Sequence, residues 1–219
     1  MNEIYSIELG RQLMKPSGEI GKKVGENMNI ANNAIYDLAC TMIDFKDNER
    51  ILEIGFGNGN FFPKYFKINP KIKVFGVDYS DTLYSEATSR NQKYINNNQL
   101  SLKCENSIKT SFESDYFNTI ITINTIYFWN PIDKQIAEIR RILKRGGHLL
   151  IGFSPRSIME NLPFTNEVFR LFEKPEIITL LKKNNFKIVD EKTQKILKKS
   201  ADGNDINSII ICIVAENNK

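Results

Sequence analysis

The residues best suited to chemistry are Gly55-Phe56-Gly57-Asn58-Gly59, set between the apolar run Arg50 to Ile54 and a helix-like stretch from Asn60 to Phe66. Glycine adopts positive φ without a steric penalty and lets a backbone approach a ligand closely, and a helix start presents free N–H groups. A strand that runs into three alternating glycines and then a helix is therefore built to hold a polar or anionic part of a nucleotide-like ligand. The spacing is G-x-G-x-G. A dinucleotide fingerprint, G-x-G-x-x-G, would put its last glycine at position 60, where this chain has Asn, which disfavours a nicotinamide cofactor. The sole histidine, His148, follows Gly147 at the start of a strand, whereas ligands of open α/β sheets bind beyond the strands' carboxyl ends, so it reads as structural. Cys40, Cys104 and Cys212 lie far apart without a C-x-x-C pair and read as reduced thiols. No group of Asp, Glu, His or Cys has the spacing of a metal-ligand set, so no metal is expected.

The elements that must position this loop follow from apolar periodicity. Short β-branched runs recur at Arg50 to Ile54, Lys73 to Val77, Ser101 to Cys104, Thr119 to Ile123, His148 to Phe153, Lys187 to Val189 and Ser208 to Ala215. Their continuity suits a parallel sheet covered on both faces, since a sheet with one wet face would alternate. Helix-like stretches at Asn60 to Phe66, Asp81 to Asn96, Pro131 to Leu143 and Pro175 to Lys183 alternate with them. In Asn130-Pro131-Ile132-Asp133 the Asn can cap a helix and the Pro can take its first position. Ile132, Ile136, Ile139 and Leu143 form the core stripe, and Gly146-Gly147 ends the helix. The last two strands are joined by a polar loop, Ser200 to Asp205, with no helix between them, which predicts an antiparallel final hairpin. The fold class is thus α/β, a doubly wound Rossmann-like seven-stranded sheet with an antiparallel last strand.

Residues 1–46 carry helical spacing at Ile30, Ala34, Ile35, Leu38, Ala39 and Met42 and read as an N-terminal helical addition to the core, 47–219. Residues 154–172, rich in Pro, Phe and Met, read as an insertion on the substrate side. At 219 residues the chain suits one domain. Its 41% hydrophobic and 26% charged residues exclude disordered, collagen-like and small disulfide-rich classes. Thirty Lys and Arg against 26 Asp and Glu give a net charge of +4, spread along the chain, which permits acidic partners without requiring them. The densest basic group, Arg140, Arg141, Lys144 and Arg145, suits a solvated helix C-terminus. The first residues, MNEIYSIELGRQLMKPSG, lack the apolar core of a signal peptide, and no apolar run approaches the roughly 18 residues of a membrane span. A cytoplasmic protein, a monomer or homodimer, is expected.

Glu53 with Gly55, Gly57 and Gly59 resembles motif I of class I S-adenosylmethionine-dependent methyltransferases. Gly76-Val77-Asp78-Tyr79-Ser80 is similar to the family's acidic position that binds both ribose hydroxyls, and a carboxylate suits a vicinal diol because it accepts two hydrogen bonds at once. The resemblance places Tyr79 against the adenine face. Cys104-Glu105-Asn106-Ser107 resembles the family's Gly-Asp-Ala stretch, with Asn106 in place of the Asp that accepts from the adenine amino group. Phe117-Asn118-Thr119-Ile120 stands where the family has Phe-Asp-x-Val, and Asn124 to Trp129 would form the floor of the site. The run Glu138 to Gly147 resembles the helix and Gly-Gly turn before the fifth strand. Together these matches span roughly residues 48–153. Lys15-Pro16-Ser17-Gly18, with Gly21, Met28-Asn29 and Asn32, is similar to an N-terminal stretch of members grouped with the ubiquinone-type methyltransferases (methyltransferase type 11). That implies a lid over the cofactor; the residues alone also fit a surface helix after a Pro-Ser-Gly turn.

The resemblance implies S-adenosylmethionine as cofactor, bound by Glu53, Gly55, Gly57, Gly59, Asp78, Tyr79, Asn106, Ser107 and Asn124. Tyr127 and Trp129 are the candidate catalytic residues, and together with Phe128 they read equally well as core aromatics or as a substrate cage. Methyl transfer from a sulfonium proceeds by in-line displacement and needs no obligatory acid or base. The Asn-Pro-Pro-Tyr of amino-methylating enzymes is absent, since Asn124 and Tyr127 hold its outer positions without either proline, and the cysteines do not form an arsenite-binding set. The expected acceptor is a small, partly hydrophobic molecule entering beneath the N-terminal segment and residues 154–172, where Ile158, Met159, Leu162, Phe164 and Phe169 cluster in sequence. An RNA or protein acceptor, a non-catalytic cofactor-binding protein and an NAD-dependent oxidoreductase are the alternatives.

Overall fold

A computed structural model describes residues 3–165, 167–199 and 205–219. Five strands, β1 (Arg50–Ile54), β2 (Lys73–Asp78), β3 (Leu100–Cys104), β4 (Phe117–Ile123) and β5 (Leu143–Phe153), run parallel. They are completed by β6 (Phe186–Lys199) and β7 (Asp205–Asn217) in the order β3-β2-β1-β4-β5-β7-β6, with β7 antiparallel to both neighbours. The chain leaves β1 toward β2 and β3 and later returns to β1's other side as β4. The carboxyl ends of β1 and β4 therefore flank the crevice where such sheets bind ligands. Glu53, paired with Gly76 and Ile121, points the glycine loop into it.

Continuous apolar strands have a direct explanation here, because successive side chains go to opposite faces and both faces are covered. Leu52, Ile54, Ile120, Leu149 and Ile151 pack with α6 (Ile132–Ile142) and α8 (Lys174–Lys183). Ile51, Val74, Ile121 and Leu150 pack with α3 (Phe62–Ile68) and with α2 (Gly18–Cys40), whose Ile35, Tyr36 and Ala39 are buried. Each such side chain contributes about 1.5–3 kcal/mol relative to exposure. The N-terminal segment consists of α1 (Glu3–Met14) and α2, and α2 crosses to α4 (Asp81–Arg90), where Gly25 lies against Leu83. A short helix, α5 (Gln92–Asn96), follows α4, and α7 (Arg156–Met159) opens the segment after β5. No helix among the described residues is long and apolar enough to cross a membrane.

Several expectations are corrected. Ile30 is 82% exposed rather than part of a core stripe, and Met42 lies beyond the end of α2. The single helix expected over Asp81 to Asn96 breaks at Asn91, whose buried amide donates to the carbonyls of Gly59 (3.0 Å) and Ala87 (2.9 Å), tying the break to the glycine loop. Pro131 precedes the first turn of α6 instead of lying in it, and Asn130 does not cap it. The same helix stops at Ile142, and Gly146 (φ 72°) turns within the residues that begin β5. β6 is far longer than Lys187 to Val189. Of the loop expected over Ser200 to Asp205, residues 200–204 lie outside the described ones and Asp205 begins β7.

Candidate cofactor site

The loop leaves β1 with Gly55, Gly57 and Gly59 all at positive φ, 74°, 58° and 71°. Gly55 donates its N–H to the Val77 carbonyl at 2.8 Å, and a Cβ there would lie 2.4 Å from Thr125 Cγ2. Above Gly57 the nearest atom to such a Cβ is Met28 Cε at 3.6 Å, so this Cα carries no side chain beneath α2, while its N–H is taken up by Asp78. Gly57 also marks where the two carboxylates of the site diverge in role.

Asp78, at the end of β2, is buried; its Oδ2 accepts from the Gly57 N–H and its Oδ1 from the Ser80 N–H, both at 2.9 Å. Burial raises its pKa to about 6 against those two backbone hydrogen bonds, which favour the charged form. A carboxylate has about four lone-pair sites, so acceptor capacity remains for a diol. Glu53 is buried deeper, beneath α2 and α3, where the Tyr36 hydroxyl donates to its Oε1. Burial is the main cause of its pKa rising to about 7, opposed by the Tyr36 hydroxyl and reinforced by the charge of Asp78.

The remaining residues named from sequence are spread around the rim. Tyr79 donates its hydroxyl to the Met14 carbonyl at 2.7 Å, and Lys15 Nζ sits 5.3 Å from its ring centroid. Asn106 is exposed, and its side-chain oxygen accepts from the Ile108 N–H at 3.0 Å, closing a turn. Ser107 donates to Gln135 Oε1 of α6 at 2.8 Å. Asn124, at φ 55°, follows the end of β4 and donates from Nδ2 to Asn32 Oδ1 of α2 at 2.9 Å. Tyr127 is buried, its hydroxyl accepting from the Ser154 N–H (2.7 Å) and donating to the Ser154 carbonyl (2.9 Å), so it braces the end of β5. Burial pushes its ionisation far upward, which does not suit a base at neutral pH. Trp129 is buried and donates its indole N–H to Thr125 Oγ1 at 3.2 Å.

The resemblance pointed to Gly21, Met28 and Asn32 of α2, whereas sequence reading missed Gly25, Glu26 and Tyr36. Met28, Asn32 and Tyr36 recur at helical spacing with Gly21 and Gly25, so one face of α2 runs along the glycine loop. Glu26 completes the contact: its Oε1 accepts from Asn58 Nδ2 at 3.3 Å and pairs with Arg90, which donates to Asn60 Oδ1 at 3.3 Å. The turn before α2 joins the same rim, where Ser80 donates its hydroxyl to the Pro16 carbonyl and Gly18 its N–H to Thr82 Oγ1 (3.1 Å). The spacing 21, 25, 28, 32, 36 could have extended that face to Gly25 and Tyr36, but glycine and asparagine do not read as a packing stripe. On the other side of the crevice α1 meets the segment after β5, for a Cβ on Gly10 would lie 2.6 Å from the Phe164 carbonyl oxygen and 3.0 Å from Val168 Cγ2. Among the described residues no group of three or more His, Cys, Asp or Glu could hold a metal ion.

A family model described as a methyltransferase domain matches residues 52–151. The chain is 26% identical over 133 residues to the uncharacterized methyltransferase YdaC of Bacillus subtilis, covering 60% of this chain and 71% of that protein. It is 28% identical over 103 residues to the tRNA (carboxymethyluridine(34)-5-O)-methyltransferase of Saccharomyces cerevisiae, covering 46% of this chain and 33% of that protein. It is 25% identical over 141 residues to the demethylmenaquinone methyltransferase of Bacteroides fragilis, covering 63% of this chain and 56% of that one. The chain thus spans about a third to about seven tenths of these relatives' lengths. In fold it is similar to a SAM-dependent methyltransferase from Aquifex aeolicus, with a TM-score of 0.68, 14% identity, and coverage of 87% of this chain and 95% of that one.

Proposed function

We propose that the chain is a class I S-adenosylmethionine-dependent methyltransferase that methylates a small, partly apolar acceptor held beneath α1 and residues 154–172. The observation that carries this reading is the close approach of Gly10 to Phe164, where a Cβ would lie 2.6 Å from the carbonyl oxygen, which sets α1 against the segment after β5. Behind that contact Phe169 packs on Phe164, Phe128 and Tyr127 with ring centroids 5.8, 4.7 and 5.6 Å apart. A cluster of aromatic rings beside the crevice favours an acceptor apolar enough to pack against them.

The site's own residues fit the cofactor. Gly57 leaves room for a ligand against bare backbone, Asp78 keeps free lone pairs beside it for the ribose hydroxyls, and Glu53 supplies a negative charge behind the loop for the α-ammonium. Tyr79, Asn106 and Ser107 border the adenine end, and Asn124 borders the end nearest the acceptor. When bound, S-adenosylmethionine supplies a methyl group on a sulfonium, open to in-line attack. The chain contributes orientation and exclusion of water: the loop and Asp78 fix one partner, the aromatic wall the other, and effective concentration provides much of the rate. Tyr127 and Trp129 serve as wall and brace.

The test uses methyl-labelled S-adenosylmethionine with a panel of quinols, phenols and lipid amines beside bulk tRNA. Label entering a small acceptor, reduced at least tenfold in a Phe164→Ala/Phe169→Ala double variant, supports the reading. Label entering RNA alone, or full activity in that variant, overturns it; the RNA outcome would fit the likeness to the yeast tRNA methyltransferase.

A further inference from the structure

Tyr36 touches both arms of the glycine loop without belonging to it. Its hydroxyl donates to Glu53, two residues before Gly55, and its ring stacks on Phe61, two residues after Gly59, with centroids 3.7 Å apart and planes 14° from parallel. One turn back along α2, Asn32 accepts from Asn124, the neighbour of the Thr125 that abuts Gly55. All three residues of the stack and hydrogen bond, Tyr36, Phe61 and Glu53, are at most 5% exposed.

We propose that Tyr36 is a positioning residue for the cofactor: it acts through Glu53 and Phe61, fixing both ends of the glycine loop and orienting the Glu53 carboxylate. The proposal rests on the reading of Gly55–Gly59 as the cofactor's cradle. A five-residue loop with three glycines loses more conformational freedom on ordering than an ordinary turn, so its ends must be held by neighbours. Tyr36 does this from α2, which makes the N-terminal helix part of the cofactor site although the Tyr36 ring lies beneath the loop. Its hydroxyl has a second effect. The groups facing Glu53 are Tyr36 and Cys40 from α2, Tyr65 from α3 and Asp78 from β2; among them the Tyr36 hydroxyl donates to the carboxylate and stabilises its charge, and Asp78 opposes it. Removing the Tyr36 hydroxyl therefore moves the ionisation of Glu53 to higher pH.

Calorimetric titration of the full chain with S-adenosylhomocysteine between pH 5.5 and 8.5 tests this. In the wild type, affinity rises with pH as Glu53 gains the charge that attracts the ligand's ammonium group. Tyr36→Phe keeps the ring on Phe61, binds about fivefold more weakly at pH 7, the usual loss for one hydrogen bond, and shifts the rise to higher pH. Phe61→Leu, which keeps the hydroxyl on Glu53, weakens binding without moving the rise. In a Glu53→Gln background Tyr36→Phe no longer alters the pH profile. A Tyr36→Phe protein with the wild-type profile, or weakened equally at every pH, overturns the proposal. A wild type that does not bind at all overturns the cofactor reading instead.

Discussion

Glu53→Gln is expected to make the ligand-free protein more stable at alkaline pH, although it removes a residue of the site. Glu53 is 1% exposed, and its pKa rises from 4.5 to about 7, chiefly because burial penalises the charge. An acid whose pKa is higher in the folded state contributes its stability in full below the unfolded value and loses it as pH climbs through the folded one. At about 1.4 kcal/mol per tenfold change in proton affinity, Glu53 withdraws about 3 kcal/mol between pH 4 and pH 8. A glutamine stays neutral and can still accept from the Tyr36 hydroxyl, while its added N–H₂ group needs a partner at a cost of about 1–2 kcal/mol. The variant should therefore exceed the wild type by about 1–2 kcal/mol at pH 8 and fall below it at pH 5. Urea unfolding at pH 5, 6, 7 and 8 reads this, with the buried Trp129, the only tryptophan, as the fluorescence probe. Equal pH slopes for the two proteins would refute the reasoning, because Glu53 would then ionise as it does in water.

Gly55→Ala and Gly146→Ala separate backbone strain from collision. Both glycines have φ above 70°, but a methyl at Gly55 strikes Thr125 at 2.4 Å, whereas nothing lies within 4 Å at Gly146. Gly146→Ala should lower stability by about 1–2 kcal/mol. Gly55→Ala should add about 1–3 kcal/mol more and weaken S-adenosylhomocysteine binding; equal melting temperatures for the two variants would contradict the geometry. Glu138→Gln should cost about 1–3 kcal/mol at pH 7, since Glu138 Oε1 accepts from the Thr110 N–H (2.8 Å) and hydroxyl (2.6 Å) and both its oxygens accept from Arg141. Burial raises its pKa, but those partners together outweigh that and hold it below the ordinary 4.5, so the stability it contributes is present at neutral pH and lost on acidification, and the variant's deficit should shrink by pH 3.

The sheet was legible because its information is local. Five parallel strands buried on both faces write themselves as continuous apolar runs, and a polar turn without a helix betrays the final hairpin. The same rule hid most of β6, whose Glu191 to Lys195 lies exposed at the sheet edge and carries no apolar pattern at all. The glycine loop and Asp78 were legible because residue type and strand end coincide. What could not be read was long-range or hidden in a turn: Asn91 looks like any helix residue until Gly59 arrives beside it, and nothing in the sequence shows that the Asn106 oxygen also accepts from the Ile108 N–H. Tyr36 is the sharpest case, since both of its partners lie 17 or more residues away and its value depends on how α2 crosses the loop.

Binding of S-adenosylhomocysteine by the wild type and by Asp78→Ala, measured side by side in one calorimetric series with NADH as the competitor class, tests the assignment most directly. Binding in the micromolar range by the wild type, weakened by at least tenfold in Asp78→Ala as one or more charged hydrogen bonds of about 1.5–3 kcal/mol each are lost, is the result expected of a carboxylate that holds a ribose diol. Undiminished binding by the variant, or binding of NADH alone, would contradict it.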